Sequence, residues 1–203
     1  QDFDDAISLE KAGGGRVRLG VHIADVSYYV REGSESDREA ERRGTSVYLP
    51  GHVIHMLPPR LSQNLSSLRP QEDRLTKSVF MTFGSSGKLE SFDVSRSVIR
   101  SCRRFTYEEV LAILEWIDSS VATPSLPPDH VEFEPVLRSM ARLRDRLHLR
   151  RRRRGALDLE IPRASLRLDP AGHVVGLSME TRDPAHTLIE EFMLAANEAV
   201  ALY

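Results

Sequence analysis

Three carboxylates fall within four positions near the amino end, Asp2, Asp4 and Asp5 in the stretch QDFDDAIS. Like charges this close repel. In an extended strand alternate side chains share a face, so Asp2 and Asp4 point together, Phe3 turns toward the core, and a bend brings Asp5 to the same place. Converging carboxylates cannot all stay ionised in a low-dielectric pocket unless a cation neutralises them. Oxygen-only ligands select a hard cation; Mg²⁺ is the usual one, its shell completed by substrate phosphate. An EF-hand loop requires an oxygen ligand and then a glycine at positions occupied by Ala6 and Ile7, which excludes it. The competing reading of the same pattern is a set of solvated acids at a frayed end.

Two further groups carry chemistry. In HTLIEEFMLAANEAVALY, His186, Glu190 and Asn197 fall nearly on one stripe of an otherwise apolar helix. Such a stripe faces a site, a His–Glu metal pair or an internal hydrogen-bonded network; Glu191 and Glu198 lie on another stripe, expected to be solvated. Tyr48 sits beside a proline in SVYLPG and Tyr107 opens a helix. Tyrosines so placed pack internally or stack on a base beside a phosphate site.

The elements that must hold these residues follow from periodicity. Residues 3–10 and 16–30 read as strands joined through AGGG, and Ser36 with Glu39 as the capping box of a short helix ending near Gly44. Residues 45–70 read as a long ordered loop, and LTKSVFMTFGSSGKLESFDVSRSVIRS as a hairpin around GSSG. Thr106 and Glu109 cap a second helix, residues 134–154 form a long basic helix stopped by Gly155, two strands follow about DPAG, and Asp183 with Pro184 opens the last helix. Strands and helices mix without strict alternation. The fold class is α+β, a mixed sheet with packed helices.

At 203 residues, 40% apolar and 29% charged, the chain has length for one core, and no apolar run approaches the ~18–20 residues that cross a bilayer. The single cysteine, Cys102, forms no internal disulfide, consistent with a reducing cytoplasm. Residues 134–155 hold nine arginines and two acids, a charge of +7, so the formal net charge of −2 leaves −9 elsewhere. An acidic pocket beside a basic surface suits a protein that holds cations and a polyanion together; helix arginines on a solvated face are the plainer reading.

Five ordered segments, DFDDAIS, GVHIADVSYYV, DREAERRGTSVYLPG, MLPPRLSQNLSSLRPQEDRL and AHTLIEEFMLAAN, resemble the catalytic domain of the ribonuclease II/ribonuclease R (RNB) family. The likeness runs from residue 1 to 203 as one domain and is closer to ribonuclease R. It implies a magnesium-dependent, processive exoribonuclease that degrades single-stranded RNA from the 3′ end to nucleoside 5′-monophosphates, in the cytoplasm and in the company of RNA-degradation machinery. The family places four aspartates at its metal site, the last three matching Asp2, Asp4 and Asp5. The first precedes the chain, an arginine of the site falls beyond Tyr203, and the flanking β-barrel domains are absent, so the resemblance implies a fragment with little activity of its own. Tyr48 matches a tyrosine that stacks on a nucleotide at the 3′ end. Tyr107 and Glu190 match residues that contact the terminal nucleotides and favour ribose. Leu159 stands where some members have a phenylalanine that sandwiches the terminal base. The run from Arg150 to Arg154 receives no role from the sequence. The alternative to a nuclease is a catalytically inactive RNA-binding module of the same fold.

Overall fold

The computed structural model describes residues 2–119, 127–157, 163–169, 171, 173–180 and 183–203. Four antiparallel strands form the main sheet in the order β1 (Asp5–Lys11), β2 (Val17–Ala24), β5 (Asp73–Phe83), β6 (Leu89–Arg100). Between β2 and β5 lie a single turn α1 (Val26–Tyr29), helix α2 (Glu35–Arg43), a small hairpin of β3 (Val47–Leu49) and β4 (His52–Ile54), and a π-helical turn at Leu61–Leu65. After β6 come α3 (Tyr107–Asp118), the single turn α4 (Pro128–Val131), α5 (Glu134–Arg153), a separate hairpin of β7 (Arg163–Leu168) and β8 (Val174–Glu180), and α6 (Pro184–Ala201). The architecture is α+β.

Alternation divides the sheet into two faces. Leu19 and Val21 of β2 and Val79, Met81 and Phe83 of β5 face the helices, where they meet Ile113 of α3, Leu137, Met140 and Leu143 of α5, and Leu188 and Phe192 of α6. Each fully buried side chain of this size stabilises by ~1.5–3 kcal/mol. The opposite face carries a buried polar network. His22 Nδ1 lies 2.7 Å from Ser78 Oγ and its Nε2 3.0 Å from Ser8 Oγ, while Thr76 and Ser97 bond to each other and to Ser78. Burial holds the imidazole below its usual pKa, hence neutral. Gly20 belongs here because a Cβ would stand 2.4 Å from Ser8 Oγ and 2.8 Å from the His22 ring.

Several boundaries differ from the sequence expectation. The first strand begins at Asp5, and the second ends at Ala24, where the chain turns into α1. Ser34, not Ser36, caps α2, its side chain accepting from Asp37 N. The expected loop over 45–70 contains the β3–β4 hairpin and the π-helical turn. The Thr106–Glu109 capping box and the Asp183 cap form as expected. Among the described residues no helix is long and apolar enough to cross a membrane.

Candidate active site

The acids sit at the entrance to β1, and the backbone fixes them there. Phe3 N donates to Ser67 Oγ at 3.3 Å, Leu68 N donates to Phe3 O, and Ala24 N donates to Asp4 O. Residues 2–4 are thereby laid between the end of β2 and the loop after the π-helical turn. Phe3 is half-buried beneath the Arg104 guanidinium, 4.7 Å from its ring centroid, and lies outside the main core cluster it was expected to join.

The three carboxylates differ. Asp2 is mostly buried; its Oδ2 lies 3.5 Å from His55 Nδ1, and its Oδ1 is fully buried with no hydrogen-bond partner. Asp4 and Asp5 are open on one side to solvent. Partial desolvation raises the Asp4 pKa, and the charges of Asp2 and Asp5 add to it. Desolvation also raises Asp5, opposed by a hydrogen bond to its own backbone. The anionic states of Asp4 and Asp5 are thus disfavoured, which a neighbouring cation would offset. Among the described residues no three His, Cys, Asp or Glu side chains gather tightly enough to hold a metal by themselves. An all-oxygen set with one orphaned buried atom nonetheless fits Mg²⁺, which is commonly bound through one or two carboxylates and keeps water and phosphate oxygens for the rest of its shell.

Tyr107, the first residue of α3, stands at the same end of the sheet. Desolvation raises its hydroxyl pKa, followed by the charges of Asp5 and Asp183, so it remains a hydrogen-bond donor at neutral pH. Its ring stacks on His186, with centroids 3.8 Å apart and planes 13° from parallel. His186 Nδ1 lies 2.9 Å from Asp183 Oδ1. This orientation turns the imidazole to Asp183 and Tyr107, while Glu190 approaches Arg151 at 3.8 Å. Tyr48, on β3, is 71% exposed and paired across the hairpin with Val53. That hairpin is tied to the acids through His55, the residue that follows β4. Leu159 lies outside the described residues.

One group departs from the sequence expectation, and two more, Asp25 and His55, received no role from it. Glu191, expected in water, is 2% exposed and accepts from Arg151 Nη2 at 2.7 Å, with His148 Nδ1 2.8 Å away. Glu198, by contrast, is exposed and paired with Arg154. Arg151 and Arg154 therefore join α5 to α6, giving part of the arginine run a structural task. Asp25, directly after β2, is buried and accepts from Ser27 Oγ at 2.6 Å, with Arg96 and Lys77 3.7 and 3.9 Å away. His55 lies 53 positions from Asp2 in the chain, and no local pattern announces their contact.

The chain as a whole is similar to known proteins. A family model described as the RNB domain matches residues 1–203. Ribonuclease R of Aquifex aeolicus is 44% identical over 202 residues, covering 100% of this chain and 28% of the relative. Ribonuclease R of Thermotoga maritima is 47% identical over 202 residues, covering 99% and 28% respectively. The chain thus spans little more than a quarter of these relatives. A solved structure of Mycoplasma genitalium RNase R in complex with ribose methylated single-stranded RNA superposes with a TM-score of 0.86 at 32% identity, covering 99% of this chain and 30% of that one.

Proposed function

The chain belongs to the RNB domain family, and from that premise we propose that it forms the catalytic part of a processive 3′-to-5′ hydrolytic exoribonuclease acting on single-stranded RNA. The observation that carries the reading is the acid cluster at the head of β1, in which Asp2 keeps a buried, partnerless oxygen and Asp4 feels both neighbours. Single-stranded RNA as the polyanion is supported by the similar Mycoplasma genitalium structure, which was solved with such an RNA.

Asp2, Asp4 and Asp5 would hold or orient Mg²⁺. When bound, a pair of such ions lowers the pKa of a water for in-line attack on the last phosphorus and stabilises the departing 3′-oxygen. The water oxygen bonds to phosphorus, the P–O3′ bond breaks, and the products are a nucleoside 5′-monophosphate and an RNA one nucleotide shorter with a free 3′-hydroxyl. Tyr48, exposed on its hairpin, offers a flat ring to a terminal base, and stacking holds the reacting phosphate in line. Tyr107 donates a hydrogen bond from a hydroxyl that stays protonated. Glu190 accepts from a ribose 2′-hydroxyl, which deoxyribose lacks. Leu159 would supply an aliphatic wall to the base clamp. Work of this kind belongs to cytoplasmic RNA turnover.

The competing reading is an RNA-binding module without turnover, for which the absence of a tight three-ligand group among the described residues speaks. The two separate in one assay. The natural full-length protein is given a single-stranded RNA labelled at its 5′ end, with Mg²⁺ or with EDTA. The nuclease shortens it stepwise from the 3′ end only with Mg²⁺ and releases 5′-monophosphates; the module binds it and releases nothing.

A further inference from the structure

His55 lies in a stretch to which the sequence gives no chemistry, yet its side chain meets that of Asp2. Its ring is 12% exposed and the Asp2 carboxylate 18%, so both stand mostly out of water. Gln63, on the π-helical turn, donates from Nε2 to His55 Nε2 at 2.9 Å. An imidazole nitrogen that accepts carries no proton, so in the neutral ring the proton resides on Nδ1. Nδ1 is the atom that faces Asp2 Oδ2 at 3.5 Å, with Ser62 Oγ 3.4 Å away. The backbone is held as firmly: Arg43 Nη1 donates to His55 O at 2.8 Å, and Met56 N donates to Ser46 Oγ at 2.9 Å.

We propose that His55 is a positioning residue for Asp2: Gln63 fixes its tautomer, the Nδ1–H faces Oδ2, and the buried, partnerless Oδ1 is thereby presented to the divalent cation. The inference rests on the cation reading of Asp2, Asp4 and Asp5. Its chemistry is that of an N–H donor behind a carboxylate that would ligate the cation, setting the orientation of that carboxylate. Because His55 directly follows β4, the device also ties the Tyr48 hairpin to the acids, so that base stacking and cation binding share one anchor.

The probe is Mn²⁺, whose free ion is counted by its electron paramagnetic resonance signal, titrated into the full-length protein without RNA. Removing a group behind a metal ligand costs roughly 10–100-fold in affinity. His55→Leu is therefore expected to weaken Mn²⁺ binding at least tenfold. His55→Asn, whose amide nitrogen stands near the place of Nδ1, restores most of it, and Gln63→Leu, which frees the ring to change tautomer, gives an intermediate loss. A merely structural role would not produce rescue by asparagine. Circular dichroism melts identify any variant that is unfolded, and His55→Asn against Gln63→Leu then carries the comparison. If His55→Leu binds Mn²⁺ as the wild type does while Asp4→Asn does not, the positioning role is overturned and the cation site stands. If Asp4→Asn also binds as the wild type does, the cation reading itself fails, and this inference with it.

Discussion

At the scale of single residues, Asp4 shows how the site conflicts with the stability of the fold that carries it. Its folded pKa is raised by desolvation and by Asp2 and Asp5. A carboxylate with a raised pKa contributes stability that is present below its unfolded value, 3.8, and lost as pH rises through the folded value. At neutral pH and without divalent cation, Asp4 therefore burdens the fold. Asp4→Asn is expected to melt a few degrees above the wild type at pH 7 in EDTA. The advantage shrinks as pH is lowered toward 3.8, and again when Mg²⁺ is added at a hundred times its Kd, which stabilises the wild type alone by about 2.7 kcal/mol. Scanning calorimetry of both proteins across these conditions checks it; a variant that melts below the wild type in EDTA would contradict the repulsion. Glu191 is the opposite case, a buried acid whose charge is settled by His148 and Arg151. Glu191→Ala leaves the Arg151 guanidinium, itself mostly buried, without that partner and is expected to cost about 3 kcal/mol in urea unfolding.

At the scale of elements, what was legible depended on how local the signal is. The Thr106 capping box, the Asp183 cap and the β5–β6 hairpin are written in neighbouring residues and form where expected. The end of β2 is not legible because YYV continues a β-like apolar run, whereas the chain turns at Asp25, whose N–H donates to Leu75 O. Glu191 was placed in water because helical spacing assigns faces relative to one helix alone, while α5 supplies its partners from 40 and 43 positions away. His55 was invisible for the same reason. The candidate acids, by contrast, were evident because crowding of like charge is a local pattern. The β3–β4 hairpin carries a prediction of its own. Tyr48→Ala removes an exposed ring and disturbs no core, so the melting temperature should hold. Affinity for a short single-stranded RNA, in EDTA to prevent turnover, should fall by roughly 5–150-fold, the equivalent of ~1–3 kcal/mol. Fluorescence anisotropy measures the loss, and unchanged affinity would remove Tyr48 from the binding surface.

At the scale of the molecule, a four-stranded sheet and three helices bring the amino end of β1, the start of α3 and the start of α6 to one place. Tyr107 feels the charges of Asp5 and Asp183 there although 102 positions separate it from Asp5 and 76 from Asp183. The hydrophobic layer of Leu19, Val21, Met81, Ile113 and Phe192 lies behind that edge and fixes its geometry. On the proposed function, this edge gathers anionic oxygens so that divalent cations can grip a scissile RNA phosphate. Single-turnover hydrolysis of a single-stranded RNA by the full-length protein in Mg²⁺, wild type against Asp4→Asn at saturating enzyme, tests it most directly. The variant is expected to bind the RNA with near wild-type affinity and to release nucleoside 5′-monophosphate at least a thousandfold more slowly, about 4 kcal/mol of lost transition-state stabilisation. Release by Asp4→Asn at the wild-type rate would contradict it.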